Sequence, residues 1–258
     1  MVRTKLNIPG AKLDTLGVNH VQEEIAMSGK ILRAAAAALF LVSTAVRADV
    51  PWTFSNNTRY LAMGDSLAAG FGAIPATQGY AYLLYQGGTF DAVTNTIFSN
   101  AAVPGATSAH VLAFQVPQAV DVFQPHVVTI SVGGNDLLAI LAGADPATTL
   151  TNFQANLVQI LGTLRARLPS ARVIIGNQYD IPEITATVPG ATQIIAQFNA
   201  IIAGVAQATG ARVAGVFEAF QGRTGLLLVE RHGAGAFEVH PTNAGYRVMA
   251  QAFAAAAQ

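Results

Sequence analysis

The chain has 258 residues, 52% of them hydrophobic and only 11% charged, so it carries ample material for a core and no signature of disorder. Its formal charge of zero hides an imbalance: residues 49–258 hold 8 basic and 11 acidic residues, a net charge of −3, and show no basic stripe for nucleic acid. The absence of cysteine excludes a disulfide framework and thiolate metal sites.

Near the start, Lys30 and Arg33 precede the uncharged stretch from Ala34 to Val46, which ends at Arg47, Ala48 and Asp49. A positive segment, a short apolar run and small residues (Val46, Ala48) at the −3 and −1 positions predict a secretory signal peptide cleaved after Ala48. The 13 residues from Ala34 to Val46 are too few to span a bilayer, which takes about 20. An uncleaved buried or anchoring helix is the alternative. The pattern divides the chain into a start-site extension (residues 1–26), a signal peptide from Met27 (residues 27–48) and a single domain (residues 49–258). A secreted or periplasmic protein with no membrane span after cleavage is expected.

Beyond Pro51-Trp52, apolar runs alternate with longer amphipathic stretches, the pattern of a parallel sheet with helical crossovers. Strands are predicted near Arg59 to Met63, Thr94 to Ala101, Val127 to Val132, Arg172 to Asn177 and Arg212 to Phe217. A helix from about Ala147 to Leu168 places Leu150, Phe153, Leu157, Ile160, Leu161 and Leu164 on one face, between Asp145-Pro146 and Pro169. A second, from about Thr192 to Thr209, stops at Gly210, and the last runs from about Asn243 to Ala257. Five such strands fit an α/β, flavodoxin-like three-layer α/β/α sandwich with a five-stranded parallel sheet.

Four short blocks lie in loops of this plan. Gly64-Asp65-Ser66-Leu67 follows the first strand and puts a serine where open α/β sheets hold their reactive groups. Gly105, after Pro104 and ahead of a helix, has an N–H suited to an anion, although Pro-Gly is also an ordinary turn. Gly133-Gly134-Asn135-Asp136 follows the third strand and offers a side-chain amide donor, or simply a helix cap. His240, held by Pro241 before the last helix, can face the same edge as Ser66 or be a plain loop or core residue. Together the blocks contain what acyl transfer needs: a nucleophile, a base and donors for an oxyanion.

With these blocks in this order, the sequence resembles the GDSL, or SGNH, hydrolase family from about Arg59 to Phe253. The resemblance implies a flavodoxin-like fold and a serine esterase, lipase or acylhydrolase that uses no metal or other cofactor. It further implies Ser66 as nucleophile, His240 as base, and Ser66, Gly105 and Asn135 as oxyanion-hole donors. Ala68 stands where the Gly-x-Ser-x-Gly elbow of the α/β-hydrolase fold has its second glycine, which separates the two lipase architectures.

The family usually has an aspartate three residues before its histidine, and here that residue is Phe237. Glu238 is the nearest carboxylate in sequence and is predicted to orient His240; a backbone carbonyl or a plain Ser–His dyad are the alternatives. Asp65 and Asp136 are read as acceptors for loop N–H groups, and Asn199 as a buried hydrogen-bonding residue. Phe71, Ile74, Leu137, Leu138, Ile140 and Leu141 either line an acyl pocket or belong to the core. The expected function is an exported serine ester hydrolase acting on a small-molecule or lipid ester, through an acyl-enzyme. A carbohydrate O-acetyl esterase, an acyltransferase and a binding protein on the same scaffold are the alternatives.

Overall fold

Five parallel strands form the central sheet in a computed structural model of the chain, which describes residues 56–228, 231–232, 236–237 and 239–258. In chain order the elements begin with β1 (Thr58–Gly64), α1 (Ser66–Ala69), α2 (Tyr80–Gln86), β2 (Thr96–Asn100) and α3 (Ser108–His110). The last runs into two π-helical stretches, Val111–Gln115 and Gln118–Phe123. There follow β3 (Val127–Ser131), α4 (Gly134–Leu141), α5 (Pro146–Arg167), β4 (Arg172–Gly176), α6 (Pro182–Thr185), α7 (Ala191–Thr209), β5 (Arg212–Ala214) and α8 (Val216–Phe220). A small antiparallel pair, β6 (Arg231–His232) and β7 (Ala236–Phe237), precedes α9 (Asn243–Ala257). The predicted signal peptide and the segment before it lie outside the described residues.

The main sheet has the order β2-β1-β3-β4-β5, the flavodoxin-like arrangement expected from the alternation of apolar runs and helices. Because successive side chains of a strand point to opposite faces, β1 serves two cores. Leu61 and Met63 join Phe153 of α5 and Phe198 of α7 on one side, while Tyr60 and Ala62 join Tyr80, Tyr246 and Phe253 of α2 and α9 on the other. Among the described residues, no helix is long and apolar enough to cross a membrane.

The helices obey their sequence signals. Asp145 caps α5 by accepting the Thr148 N–H at 2.8 Å, with Pro146 in the first turn. Gly210 ends α7 in a left-handed conformation, and Thr242 caps α9 through the Gly245 N–H. Two boundaries differ from expectation. Residues Val93–Asn95 form a tight 3₁₀ turn before β2. The last strand stops at Ala214, because the chain turns at Gly215 into α8 and Asn177 Oδ1 takes the Phe217 N–H at 2.7 Å. The helix after Ser66 is a single turn, ended by Gly70 at φ +79°, so its macrodipole is far smaller than that of a full helix.

Candidate active site

The winding of the sheet reverses between β1 and β3: β2 lies to one side of that pair, and β4 and β5 lie to the other. Chains leaving the carboxyl ends of β1 and β3 diverge there and open a crevice. Ser66 leaves β1 at this point, and Asn135 leaves β3.

The turn into Ser66 is fixed by contacts that precede it. Gly64 sits at φ +127°, and a Cβ there would lie 1.8 Å from the Ser131 carbonyl oxygen, so only glycine lets β1 end against β3. Gln115 brackets the same residue: its Oε1 accepts the Gly64 N–H at 2.7 Å, and its Nε2 donates to the Gly64 carbonyl at 2.8 Å. Asp65 donates its N–H to the Ser131 carbonyl, while its own Oδ1 accepts the Leu67 N–H at 3.0 Å and caps α1. Burial pushes the Asp65 carboxyl up to about 7; hydrogen bonds from Leu67 and Ser131 offset part of that rise. Ser66 is thus the first residue of a short turn, half-buried at the rim of the sheet.

The loop after β2 approaches from one side. Val103 donates its N–H to the Gly64 carbonyl at 3.1 Å, and Gly105 follows at φ +83°, exposed, with nothing within 4 Å of where a Cβ would stand. The next residue, Ala106, accepts from Asn135 Nδ2 at 2.9 Å, which sets the plane of that amide. Asp136 then pins the start of α3, taking the Ser108 N–H at 2.9 Å and the Ser108 hydroxyl at 2.6 Å. Both Asp65 and Asp136 therefore accept from loop N–H groups, as read from sequence.

His240 reaches the crevice from the far end of the chain. Its carbonyl accepts the Leu228 N–H at 2.8 Å, and the segment pairs antiparallel with Leu227 through Pro241. Its ring packs on Phe71 with centroids 4.6 Å apart, and its Nε2 is shielded from solvent. Phe71 closes the Ser66 turn, donating its N–H to the Ser66 carbonyl at 2.9 Å, and Tyr246 of α9 donates its hydroxyl to the Phe71 carbonyl at 2.6 Å. Asn243 clasps the neighbouring Ile74 main chain through both its N–H and its carbonyl. Glu238, the carboxylate expected to orient His240, lies outside the described residues.

An apolar cavity of about 730 Å³, its open mouth included, begins at Ser66 and Asn135. Leu137, Leu138 and Leu141 of α4 form one wall, while Ile181, Ile184 and Ile194 contribute another. Three of the six apolar residues considered for such a pocket thus line it. Ile140 is core, Phe71 packs on His240, and Ile74 is 80% exposed. Gln115, Gln178 and Tyr179 were not singled out from sequence. A glutamine four residues after Val111 and four before Ala119, on an otherwise apolar face, was the available signal for the first.

The profile of the GDSL-like lipase/acylhydrolase family matches residues 62–248. Among solved structures, TesA is 26% identical over 76% of this chain and 95% of its own, with a TM-score of 0.57. Phospholipase A1 from Streptomyces albidoflavus NA297 is 19% identical over 78% and 99%, at a TM-score of 0.60. The extracellular lipase from Streptomyces rimosus is 21% identical over 78% and 100%, at 0.58. No curated protein sequence matches the chain.

Proposed function

Since the chain belongs to the GDSL-like lipase/acylhydrolase family and is a carboxylic ester hydrolase, we propose that it works through an acyl-enzyme on Ser66. His240 takes the Ser66 proton as the hydroxyl attacks the ester carbonyl, and gives it to the departing alcohol. Water, deprotonated in turn by His240, then attacks the acyl-enzyme; the acid is released as His240 returns the proton to Ser66 Oγ. The oxyanion formed in each half is met by the N–H groups of Ser66 and Gly105 and by Asn135, whose amide has one N–H held by Ala106 and a second for the substrate. Glu238 orients the imidazole; Glu238→Gln is expected to lower kcat/KM across roughly pH 6 to 9, and wild-type activity there would assign the task to another group.

The substrate is a lipid or short-chain carboxylic ester, and the observation that carries this is the apolar cavity beginning at Ser66 and Asn135. Export is supported by the charged, apolar and small-residue pattern of residues 27–48. Hydrolysis of p-nitrophenyl esters from acetyl to palmitoyl by wild type and Ser66→Ala tests the whole reading. Loss of turnover in the variant, with wild-type preference for acyl chains beyond acetyl, is the expected result. Activity surviving Ser66→Ala would end the mechanism, and a strict preference for acetyl would favour a carbohydrate O-acetyl ester.

A further inference from the structure

The segment that carries His240 is also held by a residue outside the four sequence blocks. Tyr179 follows β4, and its hydroxyl donates to the carbonyl of Val239, immediately before His240, at 2.5 Å. Its ring is buried, stacks on Phe220 of α8 with centroids 4.9 Å apart at 17°, and lines the apolar cavity together with Val239 and Ser66.

Tyr179 stands on a main chain that is itself anchored. Asn199 of α7 accepts the Gln178 N–H at 2.7 Å and donates to the Gln178 carbonyl at 2.9 Å. The Gln178 side chain donates to the Val132 carbonyl, just beyond the end of β3, at 2.8 Å. A continuous run of short hydrogen bonds therefore leads from α7 and β3, through Gln178 and Tyr179, to the peptide that precedes the proposed base. Phe71 and Tyr246 hold the other side, where the imidazole meets the Ser66 turn.

We propose that Tyr179 is a positioning residue: its hydroxyl fixes the Val239–His240 peptide so that the imidazole addresses Ser66, while its ring forms part of the acyl-chain wall. The proposal rests on the reading of Ser66 and His240 given above. Hydroxyl and ring have separable consequences. Losing the hydroxyl loosens the base and lowers the rate of acylation; the ring, if kept, preserves the apolar contact that binds the chain.

Tyr179→Phe separates the two, with p-nitrophenyl esters as substrates and fluorophosphonate titration of Ser66 counting the competent sites. The expected result is a kcat per titrated site about tenfold below wild type, the equivalent of one hydrogen bond, with KM within about twofold for every chain length. Fluorophosphonate labelling should slow in parallel, since it needs the same activated serine. Unchanged kcat and labelling rate, or a raised KM with kcat intact, would reduce Tyr179 to a wall of the pocket. An inactive Ser66→Ala control beside an unaffected Tyr179→Phe overturns this inference alone, whereas an active Ser66→Ala overturns the reading beneath it. Should Tyr179→Phe fold poorly, Asn199→Asp preserves one of the two bonds to Gln178 and is expected to give the same split between kcat and KM, and its absence counts against the proposal.

Discussion

Asp65 supports the turn that presents Ser66 through hydrogen bonds to Leu67 and Ser131. Its carboxyl is almost fully buried between β1 and β3, where it caps the turn that begins with Ser66. Burial disfavours the charged form, so the folded group ionises near 7 and the unfolded one near 3.8. Between those values the folded chain keeps a proton that the unfolded chain has released. Stability from this group is therefore greatest below about pH 4, falls as pH rises, and levels off above about 7, opposite to the usual behaviour of a salt-bridged carboxylate. Asparagine caps a helix about as well as aspartate and carries no charge. Asp65→Asn is thus expected to flatten the fall in stability between pH 4.5 and 7.5 by an amount of the order of a few kcal/mol. Urea midpoints of the two proteins at both pH values give the comparison, and parallel slopes would show that Asp65 is ionised throughout the range.

Among elements, the end of β1 carries the greatest constraint. Its pairing with β2 runs from Thr58 to Ala62, so Gly64 extends beyond the last paired residue on that side. The Gln115 side chain takes the place of the missing strand at the Gly64 N–H, and its amide joins the Val103 N–H at the Gly64 carbonyl. Gln115→Leu keeps much of the volume but removes both bonds in a buried setting, and is expected to destabilise by roughly 2–4 kcal/mol. Activity of the folded fraction should fall further than stability predicts, because Ser66 is only two residues away. Equilibrium urea unfolding and kcat per titrated serine measure the two effects, and a loss below about 0.5 kcal/mol would mean that water replaces the amide. This contact also marks where the sequence stops being legible. The strands and long helices could be read because periodicity, caps and stop signals act locally, as at Asp145-Pro146 and Gly210. That Ser66, Gly105 and Asn135 come after the carboxyl ends of β1, β2 and β3 could be read because each block follows its apolar run in sequence. Gln115, Gln178 and Tyr179 could not, since their partners lie 46 to 60 residues away and no local pattern records the pairing.

For the molecule as a whole, a reversal in strand order places Ser66, the proposed nucleophile, beside an apolar wall built from different crossovers. The helix after β3 contributes Leu137, Leu138 and Leu141; the connection after β4 and the start of α7 contribute Ile184 and Ile194. Apart from Leu137, which directly follows Asp136, these residues lie away from the four blocks, so acyl-chain preference can vary while Ser66, Gly105, Asn135 and His240 stay fixed. If the acyl chain lies along this wall, each methylene removed from water contributes up to about 0.8 kcal/mol, or about fourfold in kcat/KM, until the cavity is full. Ile194 is half-buried at the wall, so a larger ring there takes space from the chain without entering the sheet. Ile194→Trp should leave acetyl ester hydrolysis within about threefold of wild type and cut kcat/KM for decanoyl and longer esters by tenfold or more. A uniform decrease at every chain length would indicate that the substitution disturbs Ser66 or α7, and an unchanged profile would place the acyl chain elsewhere. The distinguishing quantity is the slope of log kcat/KM against chain length, because a wall residue changes where the slope ends whereas a residue of the reactive centre shifts the whole line.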